Sequence, residues 1–359
     1  MNHVKISHRK HLTLVKDYTQ SATVAKLLYV TDKEPGIHRQ KKGKGFSYRL
    51  NNSCLTNKAE IKRIRQLAIP PAWRNVWICT KDNGHIQATG FDTRQRKQYR
   101  YHPLWNLLRN ETKFHKLKEF GERIPDLRLQ LEKDLCLPEL SENKVIATVI
   151  SLMERTYIRI GNAEYEKMNG SYGLTTLHDK HVQFTGKGVS FSFKGKKGIY
   201  HNITLNNKKL SKIIQQCRDI PGKELFQYYD KEGKRNPIDS GMVNQYIKKH
   251  TGDTYTAKDF RTWAGCLNLL RAFKNIGVYE NTTQCKQNIN LALDDVSRKL
   301  GNTRTVCKKY YVHPALIRMY EENKLETYLQ QLDKIETDDN KTSLTQEEKV
   351  LMSLLSVVS

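Results

Sequence analysis

The chain has 359 residues, which exceeds the roughly 250–300 residues at which a single core stops growing, so two domains are expected. Its 62 Lys and Arg against 37 Asp and Glu give a formal charge of +25 at pH 7, which favours a polyanionic partner. No apolar run approaches a membrane span, the N-terminus lacks the apolar core of a secretory signal, and the seven cysteines form no C-x-x-C pair. These features predict a cytoplasmic protein without a membrane helix, a disulfide framework or a structural zinc site.

The positive charge is concentrated near the N-terminus. Residues 1–100 hold 21 Lys and Arg against six Asp and Glu, whereas residues 321–359 hold nine acidic and four basic residues. The C-terminal segment is therefore predicted to be a solvated helix or a fraying end. In "RQRKQYRYH" (94–102), Tyr99 and Tyr101 would share one face of a strand, with basic residues between and beside them. This pattern is typical of a nucleic-acid surface.

Up to about residue 105 the segments are short and punctuated by turns. "VWIC" and "HIQATGF" flank "TKDNG", which predicts a β-hairpin, and "NKAEIKRIRQLAI" (57–69) has the apolar spacing of a helix. Residues 1–105 are accordingly expected to form a small, β-rich N-terminal domain.

After residue 105 the apolar spacing becomes helical. "SENKVIATVISLMERTY" predicts a buried helix with Ser141 as its N-cap. The segments "GLTTL", "HVQFTG", "VSFSFKGKKG" and "YHNITL" predict strands, and helices resume to about residue 330. The expected fold class is α+β: the β-rich domain, a mainly helical domain over 106–320 with a three-stranded β insertion, and an acidic tail over 321–359.

The stretch "GNTRTVCKKYYVHP" (301–314) raises the possibility of a nucleophilic tyrosine. Attack of a phenol on a phosphodiester needs cations for the transition-state charge, an acid for the leaving oxygen, and loss of the phenolic proton. Candidates are Arg159 beyond the predicted helix, Lys196 on a Gly-rich hairpin tip, and Lys258 with Arg261, three apart on one helical face. Each of these, taken separately, also fits an ordinary surface charge.

The order "RIGNAEY…GLTTL…FKGK…KDFRTW…GNT…CKKYYVHP" resembles the type IB DNA topoisomerases, in the compact form of poxviruses and many bacteria. The resemblance runs from "GKGFSYRL" to about residue 320. It implies that Arg159 and Arg261 are catalytic arginines, that Lys196 is the general acid, and that Tyr311 forms a 3′-phosphotyrosyl link. It also implies that Asn302 contacts the phosphate, at a position where poxviral members carry a histidine.

The resemblance further implies that the two domains close as a clamp around double-stranded DNA and that a monomer relaxes supercoils by strand cleavage, rotation and religation. Neither ATP nor a metal cofactor would be required, although a divalent metal can stimulate the reaction. The protein would be cytoplasmic and DNA-associated, in a nucleoid if bacterial or a virion if viral. The residues expected to bind DNA are Tyr99, Arg100, Tyr101, Gly161, Tyr165, Lys258 and Lys308.

Two alternatives stay open from the sequence. A tyrosine site-specific recombinase would share the helical catalytic fold and the Arg, Lys, Arg and Tyr roles, although it usually has H-x-x-R where this chain has Lys258 and Arg261. A catalytically silent DNA-binding protein would explain the charge without any chemistry.

Overall fold

The computed structural model describes residues 13–14, 17–43, 45–51, 53–93, 95–186, 188–252, 255–333 and 342–358, without the side chains of residues 111, 164 and 165. The chain forms two compact units, Met1–Lys116 and Leu117–Ser359. The domain limits at residues 105 and 320 remain predictions.

The first unit contains a six-stranded antiparallel sheet with the strand order β3-β2-β1-β4-β5-β6. Its strands are β1 (Ile37–Lys42), β2 (Gly45–Leu50), β3 (Ser53–Cys54), β4 (Arg74–Ile78), β5 (Ile86–Phe91) and β6 (Lys97–Tyr101). The predicted hairpin is confirmed, because β4 and β5 pair with Ile78 opposite Ala88. The β-rich character of the N-terminal region is therefore confirmed.

Two helices of the first unit are α1 (Tyr18–Val24) and α2 (Lys58–Gln66). The predicted helix at 57–69 is confirmed as α2, which begins where the side chain of Asn57 accepts hydrogen bonds from the backbone N–H groups of Ala59 and Glu60. Ile64 of α2 lies in one apolar cluster with the sheet residues Ile37 and Ile78. Burial of these side chains fixes the helix against the sheet.

The second unit is mainly helical. The helices that follow α2 are α3 (Pro103–Leu135), within which the chain divides into its two units, α4 (Glu142–Thr156), α5 (Ala163–Asn169), α6 (Lys208–Arg218), α7 (Ser240–Thr251), α8 (Ala257–Ile276), α9 (Thr282–Leu300), α10 (Arg304–Tyr310), α11 (Pro314–Glu321), α12 (Glu326–Gln330) and α13 (Gln346–Val358).

Helix α4 begins after Ser141, as predicted, although the Ser141 hydroxyl makes no capping hydrogen bond. Its Val145, Ile150 and Leu152 are fully buried in the core of the unit. The helix ends at Tyr157, which takes the left-handed conformation with φ 57° and ψ 14°. This turn redirects the chain toward Arg159.

The β insertion is a three-stranded antiparallel sheet of β7 (Val182–Thr185), β8 (Gly188–Lys194) and β9 (Tyr200–Leu205), which confirms the prediction. The predicted strand at "GLTTL" is wrong: Leu174–Thr176 form a 3₁₀ turn. The Thr176 hydroxyl closes the turn by accepting a hydrogen bond from the Gly173 N–H, so the segment satisfies its polar groups locally. A small hairpin, β10 (Gln227–Tyr229) with β11 (Arg235–Pro237), lies where the sequence predicted only helices.

The expectation of a solvated C-terminal tail is wrong for its last helix. In α13 the side chains of Val350, Leu351, Leu354 and Leu355 are buried in the core of the second unit. The acidic residues Glu347 and Glu348 lie in the first turn of α13, where negative charge is favourable beside the helix N-terminus. In the described ranges, no helix is both long and apolar enough to cross a membrane.

Candidate active site

Arg261 is a buried cation at the centre of the second unit. It lies in α8, whose first turn is closed by Asp259 accepting a hydrogen bond from the Thr256 N–H, and it is 6% exposed. The guanidinium donates to the carbonyls of Tyr157 and Leu300, both at 2.6 Å. Its buried Nε makes no hydrogen bond with the part of the chain that the structure describes. The side chain is thus oriented by two backbone carbonyls, and its Nε–H is one of the donors left for a further partner.

Arg159 lies beside Asn302. Its Nη1 donates to the Gly301 carbonyl at 3.2 Å, and its Nη2 donates to Oδ1 of Asn302 at 2.5 Å. The amide nitrogen of Asn302 donates to the Leu300 carbonyl at 3.3 Å. The turn after α9 therefore holds both predicted catalytic arginines, because its Leu300 and Gly301 carbonyls accept from Arg261 and Arg159 respectively.

The two neighbouring tyrosines point in different directions. Tyr310 is the last residue of α10 and is 37% exposed, whereas Tyr311 is the C-cap with φ −128° and ψ −6°. The half-buried Tyr311 ring packs on the core, and the Arg261 guanidinium carbon lies 5.1 Å from its centroid. Tyr311 is thus the tyrosine of the pair whose ring lies against the buried Arg261.

The backbone of Tyr311 is pressed against α8. A Cβ built on Gly265 would lie 2.2 Å from the Tyr311 carbonyl oxygen, so only glycine permits this approach. The Cys266 thiol also contacts the same carbonyl, at 3.7 Å.

The electrostatics of the cluster favour a negative charge. Burial alone would raise the pKa of Tyr311, but the charges of Arg261, Arg159 and Lys258, together with a hydrogen bond to Arg261, bring that pKa below its usual value. Burial, and then the neighbouring Arg159, lower the pKa of Arg261 to about 10. Two guanidinium groups held together in a poorly solvated site destabilise each other, and an anion between them removes that cost.

Lys196 is placed on a different element. It begins a 3₁₀ turn, Lys196–Gly198, between β8 and β9, and it is exposed. The structure therefore brings Arg159, Arg261, Asn302 and Tyr311 into one cluster and presents Lys196 on the adjoining hairpin.

His201 of β9, which sequence reasoning missed, connects that hairpin to the cluster. Built Cβ atoms on Gly195 and Gly301 would lie 2.6 Å and 2.5 Å from the His201 ring, so the imidazole packs between the residue before Lys196 and the residue before Asn302. Burial, followed by the charges of Arg159 and Arg261, lowers the pKa of His201 and so favours its neutral form. In the hairpin, His201 pairs with Phe193 across β8 and β9.

The residues expected to bind DNA are spread over both units. In the first unit, Tyr99 and Tyr101 of β6 stack with ring centroids 5.7 Å apart and are 43% and 38% exposed, which confirms their common face. Arg100 donates to the Ala68 carbonyl at 2.6 Å. Two basic neighbours are paired with carboxylates, Arg96 with Asp92 and Lys97 with Asp32, while Arg94 lies outside the described residues.

In the second unit, Lys258 and Lys308 are exposed on α8 and α10. Gly161 has φ 100°, and a built Cβ there would lie 3.0 Å from the Thr175 hydroxyl. The side chain of Tyr165 lies outside the described residues. Lys258 is near enough to lower the pKa of Tyr311, although burial, which raises that pKa, and the arginines have larger effects.

Comparison with known families defines the class. Residues 95–339 match the family model "Eukaryotic DNA topoisomerase I, catalytic core", and residues 45–92 match "Bacterial DNA topoisomerase IB, N-terminal domain". The chain therefore belongs to the type IB DNA topoisomerase family, as the motifs indicated, and it is an ATP-independent DNA isomerase.

Among individual proteins, the chain is similar to DNA topoisomerase 1B of Acanthamoeba polyphaga mimivirus, with 34% identity over 297 residues. That match covers 80% of this chain and 88% of the viral protein. It is also similar to DNA topoisomerase 1B of Vaccinia virus (strain Copenhagen), with 22% identity over 65% of this chain and 72% of the viral protein.

Proposed function

We propose that this chain relaxes supercoiled duplex DNA by cutting one strand with Tyr311, letting it rotate and resealing it. The observation that carries the proposal is a tyrosine with a lowered pKa beside the buried Arg261 and the partly buried Arg159, in a member of the type IB topoisomerase family. A lowered pKa increases the fraction of phenolate, which is the attacking form.

Cleavage transfers the phosphate from the 5′ oxygen of the DNA to Tyr311. The Tyr311 oxygen attacks phosphorus, and its proton passes to water. The bond from phosphorus to the 5′ oxygen breaks, and Lys196 donates the proton that this oxygen requires. The products are a 3′-phosphotyrosyl link and a 5′ hydroxyl. Because one phosphoester replaces another, religation is the reverse reaction and needs neither ATP nor a metal cofactor.

The phosphate oxygens are bound by the arginine cluster. The unused Nε of Arg261 provides a buried donor, and Arg159 provides a second guanidinium. An anion between these groups lowers their mutual repulsion, and this gain grows as charge accumulates in the transition state. Asn302 holds Arg159 through its Oδ1, so its role includes orienting that arginine as well as meeting the phosphate.

A monomer is sufficient for this reaction, because all five proposed catalytic residues belong to one unit of one chain. The exposed pair Tyr99 and Tyr101 would bind the DNA duplex in the first unit. The protein would act wherever duplex DNA is present, in a nucleoid or a virion.

The test is relaxation of a negatively supercoiled plasmid in EDTA without ATP, together with trapping of covalent protein–DNA adducts by SDS. Wild type and Tyr310→Phe are expected to relax the plasmid and to form the adduct, whereas Tyr311→Phe is expected to do neither. Tyr310→Phe is a matched control, because it removes the same hydroxyl from the adjacent, exposed residue.

The possible failures are distinguishable. An adduct without a change in linking number would indicate a recombinase, and DNA binding without an adduct would indicate a silent binding protein. Relaxation that survives Tyr311→Phe but not Tyr310→Phe would assign the nucleophile to the other tyrosine.

A further inference from the structure

The C-terminal helix α13 is connected to the catalytic cluster by a chain of hydrogen bonds. Glu347 in its first turn accepts from Nε of Arg271 at 2.8 Å. Nη1 of Arg271 donates to the Tyr157 hydroxyl at 3.1 Å, and the Tyr157 carbonyl accepts from Arg261 at 2.6 Å. The family match ends at residue 339, so this helix lies beyond the part of the chain that the family model describes.

Tyr157 is the critical link because its backbone is in an unfavourable conformation. Its φ of 57° is in the left-handed region, which costs a non-glycine residue roughly 1 kcal/mol or more. Tyr157 caps the end of α4, and this conformation turns its carbonyl toward Arg261 of α8. The bond from Arg271 to the Tyr157 hydroxyl holds the opposite end of the same residue. Tyr157 is thus fixed at both its side chain and its carbonyl.

A second set of contacts anchors α13 next to the same arginine. Oε1 of Glu348 accepts from the Trp263 indole N–H at 3.0 Å and from Arg128 at 2.8 Å. Trp263 is two residues beyond Arg261 on α8. Arg128 also donates to Glu154 of α4 at 2.8 Å. Glu348 is 3% exposed, and breaking a buried pair of this kind is costly. These hydrogen bonds therefore fix the first turn of α13 against α8, and through Arg128 they link it to α4.

We infer that Tyr157, Arg271 and Glu347 are positioning residues for Arg261, so that the C-terminal helix sets the geometry of the phosphate site. The inference rests on the proposed role of Arg261. Without the Glu347 carboxylate, Arg271 loses the acceptor that aims it at Tyr157, and the Tyr157 carbonyl can rotate. Arg261 then keeps its charge but loses one of the two carbonyls that orient it. A misdirected guanidinium lowers the rate of cleavage more than it lowers DNA affinity.

The experiment measures the rate of adduct formation under enzyme excess, DNA affinity in the Tyr311→Phe background, and the unfolding midpoint. Tyr157→Phe and Glu347→Ala are each expected to slow adduct formation by about 10- to 100-fold, the effect of losing one hydrogen bond that involves a charged group. DNA affinity should stay at the wild-type value. Glu347→Gln, which keeps an acceptor for Arg271, should restore part of the rate. Lys349→Ala, at an exposed position of the same helix, should behave as wild type.

The double variant Tyr157→Phe with Glu347→Ala is decisive. If both residues act through one chain of contacts, the double variant is about as slow as the slower single variant. The inference is overturned if the two losses multiply, or if the rate per folded molecule equals wild type while only the unfolding midpoint falls. Adduct formation by wild type in the same assay tests the proposed function, so a wild type that forms no adduct is a separate failure.

Discussion

Replacing Gly265 by alanine tests whether the contact between α8 and the Tyr311 backbone sets the nucleophile's position. The new Cβ would lie 2.2 Å from the Tyr311 carbonyl oxygen and 2.9 Å from its carbonyl carbon. Ordinary contacts begin near 3.4 Å, so the Tyr311 backbone or α8 must move by roughly 1 Å. The obstacle is backbone, which cannot rotate away as a side chain would.

The expected effect on activity exceeds the effect on stability. Overpacking costs about 1–3 kcal/mol, while alanine in the middle of a helix gains about 1 kcal/mol over glycine. The free energy of unfolding should therefore fall by only about 0–2 kcal/mol. A displacement of about 1 Å at a reacting group can cost about 100-fold in rate. We expect Gly265→Ala to remain folded and to form the covalent adduct about 100-fold more slowly.

The assay is adduct formation under enzyme excess, with the free energy of unfolding measured in urea. Gly186→Ala is the matched control, because a Cβ built on Gly186 meets nothing within 4 Å and should leave both quantities unchanged. Adduct formation by Gly265→Ala within twofold of wild type would refute the reasoning, since it would show that the nucleophile tolerates the displacement.

Two further predictions concern charge in the second unit. Burial, followed by the charges of His178 and Lys180, lowers the pKa of His181 to about 4, so the unfolded chain binds the proton first and stability should fall as pH drops from 6.5 toward 4. The loss of stability is at most about 3 kcal/mol. The variant His181→Asn keeps an acceptor for the His178 backbone N–H and should not lose this stability at low pH. Urea midpoints that fall in parallel with pH for wild type and His181→Asn would contradict the prediction. Asn302→Asp keeps the acceptor for Arg159, but the new carboxylate cancels the positive charge of Arg159. Adduct formation should therefore slow by about 100-fold. An unchanged rate would show that binding of the phosphate does not depend on the net charge of the cluster.

The sequence predicted those parts of the fold whose signals are local. The apolar spacing of residues 57–69 and the turn "TKDNG" specified α2 and the hairpin of β4 and β5, because helix periodicity and turn chemistry act over a few residues. "GLTTL" failed because β-branched residues next to glycine suit both a strand and a hydroxyl-closed turn. The choice between these structures depends on Arg159, whose carbonyl accepts from the Leu174 N–H.

The C-terminal tail shows why a charge count alone misled the prediction. The nine acidic residues of the segment 321–359 indicated that it is solvated. Whether the last helix is buried, however, depends on where its acidic and apolar residues lie along the helix. Glu347 and Glu348 both lie in its first turn and bind different arginines, while the following leucines and valines are buried.

Within the candidate site, the sequence motifs predicted which side chains take part, but they did not predict which backbone groups orient those side chains. Arg159, Arg261, Asn302 and Tyr311 meet in one cluster, and each lies in a segment that the sequence singled out. Arg261, however, is oriented by the carbonyls of Tyr157 and Leu300, and a carbonyl carries no sequence signal because every residue has one. Such contacts depend on where α4 and α9 end relative to α8. Substitutions that leave every motif residue intact, at Gly265 or Tyr157, are therefore the sharpest test of whether this geometry controls the chemistry.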